Sequence, residues 1–328
     1  MALTQYPWLE EAAARLDAMR ERLPNAILIH GMPGVGTFEL ARWFAERLLC
    51  ESPKADGSPC GKCPGCRMMH ANGHPDCRIV VSEFLANALD LPYTPPETSS
   101  SSKKLSREIR IHQFRALTDF LTMAPSRGGR RCVLVYPADM VRAEAAASLL
   151  KSMEEPPEGV LFLLTADSLA GVLPTIRSRC ISFAMAPVSP ADCARYCTKQ
   201  GVDAKAAALY SELFDGHIGT VLAAARDDAR REQVEQALTL AKAAAAKDSY
   251  AAAVLLAGYE KEKASAAALL ADFRAVAASG LRGSPRSPVQ GDAARKALGA
   301  ADAAMQRISA QVNPKIVLSV LAAKFRNF

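Results

Sequence analysis

Short apolar runs alternate with helically spaced apolar positions through about the first 185 residues of the chain. The runs predict five buried strands, at residues 26–30, 78–81, 132–136, 160–165 and 180–184. Between them, apolar residues three or four positions apart predict helices at 38–49, through 109–121 and around 145–153. Strands that alternate with helices are typical of a mainly parallel sheet with helices on both faces. The first part of the chain is therefore predicted to be an α/β domain.

The pattern changes after Pro187, where strand-like runs give way to alanine-rich helical spacing that continues to the C-terminus. Breaks at Gly216, at Gly258 and across 279–291 divide this helical part. Leucines at helical spacing supply apolar faces, so packed helices are favoured over low-complexity sequence. We predict three domains: an α/β domain at 1–186 with an insertion at 50–77, a small helical domain at 187–228 and a larger helical domain at 229–328.

The composition is that of an ordinary globular protein, with 50% of the 328 residues hydrophobic and 23% charged. The formal charge of +6 permits contact with DNA but does not indicate it, because no dense run of Lys and Arg is present. We expect neither a signal peptide nor a membrane span, since no basic region leads into an apolar stretch at the N-terminus and no apolar run reaches about 20 residues. A cytoplasmic protein is expected. Its nine cysteines are then interpreted as metal ligands or buried thiols rather than as disulfides.

A glycine-rich turn, Gly31-Met32-Pro33-Gly34-Val35-Gly36-Thr37-Phe38, follows the first predicted strand and opens a helix. Both framing glycines match the phosphate-loop template G-x-x-x-x-G-K-[ST], so the backbone amides are placed to surround an anion. Thr37, however, occupies the lysine position, and Phe38 occupies the position of the magnesium-binding hydroxyl. Without these side chains, the β- and γ-phosphates lose their positive partner and the metal loses a ligand. We interpret the segment as a phosphate loop by descent and a turn by present chemistry, and expect no functional ATP site at Gly31, Gly34, Gly36 and Thr37.

The second ATP-binding motif is also missing. An acidic pair should end the strand at 132–136, where it would hold magnesium and orient the attacking water. Tyr136 and Pro137 stand there instead, and Asp139 lies too far along the chain to be the same group. A site that lacks the lysine, the hydroxyl and the acid together is predicted to be inert in phosphoryl transfer.

Four cysteines lie close together in the sequence. Cys60, Cys63 and Cys66 are separated by two residues each in a Gly/Pro-rich loop, and Cys50 precedes them at the end of a predicted helix. Four thiolates at such spacings can close a tetrahedral structural zinc site. The fourth position has competitors, which are Cys77, His70 and His74.

An iron–sulfur cluster is the alternative metal group for this loop. The ferredoxin run needs a fourth cysteine after three residues, followed by proline. Cys66 is followed instead by Arg67-Met68-Met69-His70, so the pattern breaks. The sequence therefore favours structural zinc at Cys50, Cys60, Cys63 and Cys66.

Arg179 lies in the segment Thr175-Ile176-Arg177-Ser178-Arg179-Cys180, between a helix and the last predicted strand. This location places it at an edge of the sheet domain, from which an arginine can reach the γ-phosphate in a neighbouring subunit. Such an arginine finger raises turnover by about 10³–10⁵-fold. A surface arginine in an ordinary ion pair is the alternative, and the surrounding motif favours the finger.

Taken together, these residues resemble the delta-prime subunits of the bacterial DNA polymerase III clamp loader, within the AAA+ clamp-loader family. The resemblance rests on the turn from Gly31 to Gly36 with its lysine lost, the four cysteines, Leu149-Leu150-Lys151-Ser152-Met153-Glu154-Glu155-Pro156-Pro157 and Ser178-Arg179-Cys180. It covers about the first 185 residues, and the helical remainder is compatible with it. The gamma (tau) subunits share the scaffold, the cysteine loop and the Ser-Arg-Cys motif. They keep the lysine, the acidic pair and a later sensor arginine, at whose position this chain has Gly219.

The resemblance implies an AAA+ nucleotide-binding-type domain, then a small helical lid and a helical collar. It implies a place in a pentameric ring with gamma/tau and delta subunits, which opens the sliding clamp and places it on primed DNA. In that ring the chain would be a rigid member, and Arg179 would complete the ATP site of an adjacent gamma subunit. Residues 91–104, with three prolines and a serine run, do not match the family and are predicted to form a mobile surface loop.

Two other functions stay open from the residues alone. One is an active AAA+ ATPase of the gamma/tau type with an atypical phosphate loop, which predicts tight ATP binding by the purified chain. The other is a zinc-ribbon module that binds nucleic acid on an inert scaffold, which predicts salt-sensitive DNA binding. Lys62 and Arg67 are the nearby cations of the cysteine loop, and they offer this second function little support.

Overall fold

The computed structural model describes residues 6–95, 105–127 and 129–328. The chain forms two compact units, Met1–Pro187 and Val188–Phe328. Most of the loop predicted at 91–104 lies outside the described residues, from residue 96 onward.

The first unit contains a parallel sheet. Its strands are β1 (Ala26–His30), β2 (Cys77–Val81), β3 (Arg131–Tyr136), β4 (Val160–Ala166) and β5 (Ile181–Ala184). They form a five-stranded sheet in the order β2-β3-β4-β1-β5, and every neighbouring pair is parallel. β4 is buried along its whole length because strands flank it and helices cover it, which explains its continuous apolar sequence. All five predicted strands are present; the first has the predicted ends, and each of the other four differs by one residue at one end.

Helices pack on both faces of this sheet. They are α1 (Leu9–Ala18), α2 (Thr37–Leu49), α3 (Pro64–His70), α4 (Glu83–Leu89), α5 (Ile111–Arg115), α6 (Thr118–Thr122), α7 (Ala143–Glu154) and α8 (Pro174–Arg177). Successive strand residues point to opposite faces, and Leu28, Val133 and Phe162 share one core cluster with buried residues of α5, α6 and α7. α2 contacts β1, β3 and β4 through a separate buried face. The helical pattern predicted across 109–121 forms two short helices rather than one, with a turn between α5 and α6.

The second unit is helical, and its residues, all of them described, contain no strand. Its helices are α9 (Pro190–Lys199), α10 (Ala204–Leu213), α11 (Ile218–Arg226), α12 (Asp228–Ala245), α13 (Ser249–Ala257), α14 (Lys263–Leu281), α15 (Gly291–Ser309) and α16 (Pro314–Lys324). The predicted fold class, an α/β parallel-sheet domain followed by helices, is confirmed. The division of the helical part near residue 228 into a lid and a collar stays a prediction.

One helix of the described residues, α14, is long and apolar enough by length and composition to cross a membrane. Half of its 18-residue window is buried within the protein. A core helix of a soluble protein passes the same test, and Leu269, Leu270 and Phe273 of α14 are fully buried.

Candidate functional site

The glycine-rich turn that was predicted to be a phosphate loop joins β1 to α2. Gly34 and Gly36 have φ angles of 84° and 93°, in the left-handed region that favours glycine. A Cβ atom on Gly31 would lie 2.8 Å from Met185 Cβ and 2.8 Å from Val35 Cγ1, so a side chain there would force its neighbours to shift. The predicted glycines therefore serve the conformation of the loop itself.

Aromatic side chains stand at two positions where the ATP-binding motifs have polar groups. The ring of Phe38 stacks on the ring of Tyr136, with 4.5 Å between centroids and 21° between planes. Phe38 stands at the expected hydroxyl position and Tyr136 at the expected acidic position, so these two positions meet in one aromatic contact. Trp8 also contacts the loop, because its Nε1 donates a hydrogen bond of 2.8 Å to the carbonyl oxygen of Val35.

Three carboxylates that the sequence did not group together surround Tyr136. Burial raises the pKa of Tyr136 to about 12, and the charges of Asp167, Glu39 and Asp139 contribute to that rise. Burial also raises the pKa of each of these three acids. Their oxygens do not converge as metal ligands do: in the part of the chain that the structure describes, only the cysteine cluster brings three or more such ligand atoms together.

The four predicted cysteines come together at one point. The Sγ atoms of Cys50, Cys60, Cys63 and Cys66 all lie within 4.8 Å of one another. The Sγ atoms of Cys50 and Cys63 are 3.9 Å apart, and those of Cys60 and Cys66 are 4.0 Å apart. Sulfurs about 2.3 Å from a tetrahedral zinc ion are separated by about 3.8 Å. The group can therefore hold a metal ion of that size.

Backbone amides point at these sulfurs. The N–H groups of Cys60, Cys63 and Cys66 donate to the Sγ atoms of Cys50, Cys60 and Cys63, at 3.4, 3.3 and 3.4 Å. Such hydrogen bonds favour the thiolate, and those from the amides of Lys62 and Cys63 lower the pKa of Cys60 to about 6. Burial raises the pKa of Cys66 and of Cys50 instead. A bound cation would favour the thiolate form of each of the four.

The competitors for the fourth ligand position make other contacts. Cys77 lies in β2, paired in register with Cys132 of β3. His70 Nε2 lies 2.9 Å from Glu46 Oε1. His74 Nδ1 accepts a hydrogen bond of 3.0 Å from the backbone N–H of Asp76. Cys50, at the C-terminal end of α2, is the residue that joins the other three cysteines.

Charged contacts tie the cysteine loop to the segment before β3. Glu51 Oε1 accepts a hydrogen bond of 3.2 Å from the N–H of Gly65 and lies 2.5 Å from Arg127 Nη1. The Asp76 carboxylate accepts hydrogen bonds of 2.8 Å from both the N–H and the hydroxyl of Ser126. The position of the loop therefore depends on the sheet domain as well as on its own cysteines.

Arg179 lies at the opposite end of the sheet from the phosphate loop. It precedes β5, whose first residue, Ile181, pairs with Ile27 near the start of β1. The phosphate loop begins after His30, at the other end of β1. At 3.3 Å per residue, roughly 15 Å of parallel strand separates the two levels. Arg179 is therefore far from the loop of its own domain.

The guanidinium of Arg179 is held by four contacts. Its Nε and Nη2 both donate to Glu154 Oε1 at the end of α7, the first at 2.7 Å. Its Nη1 donates to the carbonyl oxygen of Thr175 at 3.0 Å and to the hydroxyl of Ser178 at 3.3 Å. An open cleft of about 500 Å³ adjoins the pair, lined among others by Pro24. The predicted site residue is thus at the surface but already paired.

Sequence reasoning missed the partner of Arg179 and the contact of Trp8 with the phosphate loop. Glu154 and Arg179 stand 25 residues apart, and only the packing of α7 beside α8 brings them together. The signal available in the sequence was a helix that ends at Glu154, two residues before Pro156.

Several proteins that are similar to this chain are named as subunits of bacterial DNA polymerase III. A family model described as "DNA polymerase III, delta subunit" matches residues 11–189, a little over half of the chain. The "DNA polymerase III subunit delta'" of Pseudomonas aeruginosa is 34% identical over 176 residues, which cover 54% of this chain and 47% of that protein. The protein of the same name from Escherichia coli K12 is 32% identical over 184 residues, covering 56% and 49%. The chain thus spans about half the length of these relatives.

Two further similarities are to a tau subunit and to a gamma subunit-related protein of DNA polymerase III. The "DNA polymerase III subunit tau" of Escherichia coli K12 is 30% identical over 162 residues, which cover 49% of this chain and 22% of tau. A crystal structure of a "dna polymerase iii, gamma subunit-related protein" from Thermotoga maritima superimposes with a TM-score of 0.47 and 18% identity, covering 98% of this chain and 99% of that one. The predicted resemblance is confirmed by the family match and by the delta-prime relatives. The chain belongs to the family described as DNA polymerase III, delta subunit.

Proposed function

We propose that this chain is a non-hydrolysing subunit of the DNA polymerase III clamp-loader complex, which loads the sliding clamp onto primed DNA at the expense of ATP. Arg179 acts as an arginine finger in the ATP site of a neighbouring subunit. The chain works in the cytoplasm, in a hetero-pentamer with gamma/tau and delta subunits. It is no enzyme by itself but part of the DNA polymerase III holoenzyme, a DNA-directed DNA polymerase assembly. Its family membership supports this assembly.

The location of Arg179 carries the proposal for the finger. Arg179 lies at the edge of the sheet where the strands begin, whereas a nucleotide on a phosphate loop lies where β1 ends. An arginine at that edge serves its own loop poorly and is open to a neighbouring molecule. Its planar, permanently charged guanidinium can donate two parallel hydrogen bonds to a phosphate, whereas the ammonium group of lysine acts as a point charge.

The phosphate loop supports the absence of ATP hydrolysis. The lysine position holds Thr37, which is buried. The hydroxyl and acid positions hold the stacked pair Phe38 and Tyr136. Catalysis of phosphoryl transfer consists almost wholly of positioning and electrostatic stabilisation, and these side chains supply neither.

A structural zinc ion is proposed at Cys50, Cys60, Cys63 and Cys66. Four sulfur donors with tetrahedral separations leave no open position for a substrate, so the ion would stabilise the loop rather than act in catalysis. The four cysteines that would hold the ion lie at the end of α2, in the loop after it and at the start of α3, so a bound ion would cross-link these segments.

The finger is tested in a clamp loader reconstituted from the subunits of the same organism. Arg179→Ala should leave assembly intact and lower DNA- and clamp-stimulated ATP hydrolysis, because the ATP site that it completes loses about 10³-fold or more in turnover. Arg177→Ala, which removes the same charge two residues away, is the matched control and should leave hydrolysis unchanged. Unchanged hydrolysis and unchanged clamp loading in Arg179→Ala would exclude the finger.

Two outcomes would favour the other functions that the residues left open. Tight binding of ATP and magnesium by the purified chain would support an active ATPase of the gamma/tau type. Salt-sensitive DNA binding by the purified chain, lost in Lys62→Ala and Arg67→Ala, would support a zinc-ribbon DNA-binding module.

A further inference from the structure

The ion pair of Arg179 with Glu154 occupies part of the guanidinium that a phosphate would contact. Nε and Nη2 form the edge with which arginine grips a carboxylate or a phosphate in a fork. Both of these nitrogens donate to Glu154 Oε1. A phosphate that approaches this edge is therefore repelled by the negative charge of the Glu154 carboxylate, and it can bind Nε and Nη2 only when that carboxylate moves away.

We propose that Glu154 is a positioning residue that holds Arg179 against the end of α7 in the free chain, and that the nucleotide phosphate of the neighbouring subunit displaces it. This inference rests on the proposed function of Arg179 as a finger. The exchange breaks no covalent bond, since one anion replaces another on the same guanidinium. Arg179 then binds the phosphate of the neighbouring subunit when one is present, and it stays paired with Glu154 when none is.

The surroundings of the pair permit such an exchange. The side chains of Arg179 and Glu154 are 35% and 49% exposed, and exposed ion pairs contribute little to stability. The carbonyl of Thr175 and the hydroxyl of Ser178 hold Nη1 independently of Glu154, so the guanidinium stays oriented when the carboxylate leaves. The adjoining cleft of about 500 Å³ offers space into which groups of a neighbour can enter.

The kinetic test uses Glu154→Gln in the reconstituted loader, with ATP and magnesium as the varied ligand. The amide removes the competing charge, so KM for ATP should fall about 2–5-fold, the range that an exposed ion pair supplies, while kcat stays within twofold. Glu155→Gln changes the charge by the same amount at the next residue, which is not the partner of Arg179 in the ion pair. It should leave KM unchanged, and Glu154→Asp, which keeps the carboxylate, should stay close to the native KM.

A second measurement tests the contact without any partner. Modification of Arg179 by phenylglyoxal in the isolated full chain, followed by peptide mass spectrometry, should be faster in Glu154→Gln than in the native chain or in Glu155→Gln. Equal rates in all three, together with an unchanged KM, would overturn the role of Glu154. In an Arg179→Ala background Glu154→Gln should have no further effect on KM, and an equal effect there would also overturn it. Failure of Arg179→Ala alone to lower hydrolysis would reject the finger and not the contact.

Discussion

At the scale of single residues, Phe38 at the start of α2 and Tyr136 at the end of β3 form one aromatic contact. The sequence predicts that the polar chemistry of an ATP site is absent at Phe38 and Tyr136, because each position is defined by its distance from a strand end. It did not reveal that the two rings stack, since that contact depends on how α2 packs beside β3. Restoring one lost side chain therefore leaves the other losses in place.

We expect the purified chain to show no ATP binding in calorimetry with magnesium, and Thr37→Lys to show none either. The lysine would restore one positive partner, but the stacked rings would still stand where the metal and its acid belong. Thr37 is also buried, so the lysine is expected to lower the melting temperature. The same titration on a gamma subunit is the positive control. Tight binding by the native chain, or its gain in Thr37→Lys alone, would contradict this account.

At the scale of the elements, the strands were predictable and the short helices were not. Each strand is an apolar run that is buried in the sheet, so its signal does not depend on distant parts of the chain. α3 and α4 have seven residues each, too few to show a helical period, and they begin instead at side-chain caps, Cys63 and Ser82. The sequence already favoured Cys50 over Cys77 as the fourth ligand, and the structure brings Cys50, at the end of α2, together with the other three cysteines.

The start of α11 gives a prediction about pH. His217 caps this helix, because its Nδ1 accepts a hydrogen bond of 3.3 Å from the N–H of Thr220. Burial lowers the pKa of His217 in the folded chain, whereas in the unfolded chain it protonates at its ordinary pKa of about 6.5. The unfolded state therefore binds the proton more readily, and stability that is complete above about pH 6.5 is lost as the pH falls below it.

We expect His217→Asn to reduce the acid dependence of stability. Asparagine is a good N-cap residue and does not titrate, so the variant keeps the cap at every pH. The fall in melting temperature between about pH 8 and about pH 5.5 should be smaller than in the native chain. Burial lowers the pKa of His30 and His74 as well, so part of the fall should remain. His217→Ala, which loses the cap altogether, should cost about 1 kcal/mol at pH 8. Identical pH profiles for the native chain and His217→Asn would refute the role of this cap.

At the scale of the whole molecule, the chain consists of two compact units with different kinds of core. The first packs helices on a sheet and ends at Pro187, the residue after which the hydrophobic pattern of the sequence also changes. The second is built from alanine-rich helices around buried residues such as Leu269 and Phe273. Because alanine-rich helices differ little in their apolar faces, the sequence predicted that the second unit is helical but not which of its helices pack together. The cysteine cluster belongs entirely to the first unit.

Metal removal should therefore act on one unit only. About one zinc ion per native chain is expected by elemental analysis, and Cys66→Ser should lose it. Cys180→Ser, which removes a thiol outside the cluster, should retain it.

In the full chain treated with a chelator, amide hydrogen exchange should accelerate across residues 50–70, where the sulfurs hold the loop between α2 and α3. Without the ion, the four cysteines are mutually repelling thiolates or neutral thiols, and they no longer cross-link this loop. Residues 188–328 contribute no ligand and possess their own core, so their exchange should stay unchanged. Stoichiometric iron would reject the choice of metal. Faster exchange spread evenly over both units would show instead that the ion stabilises the chain as a whole.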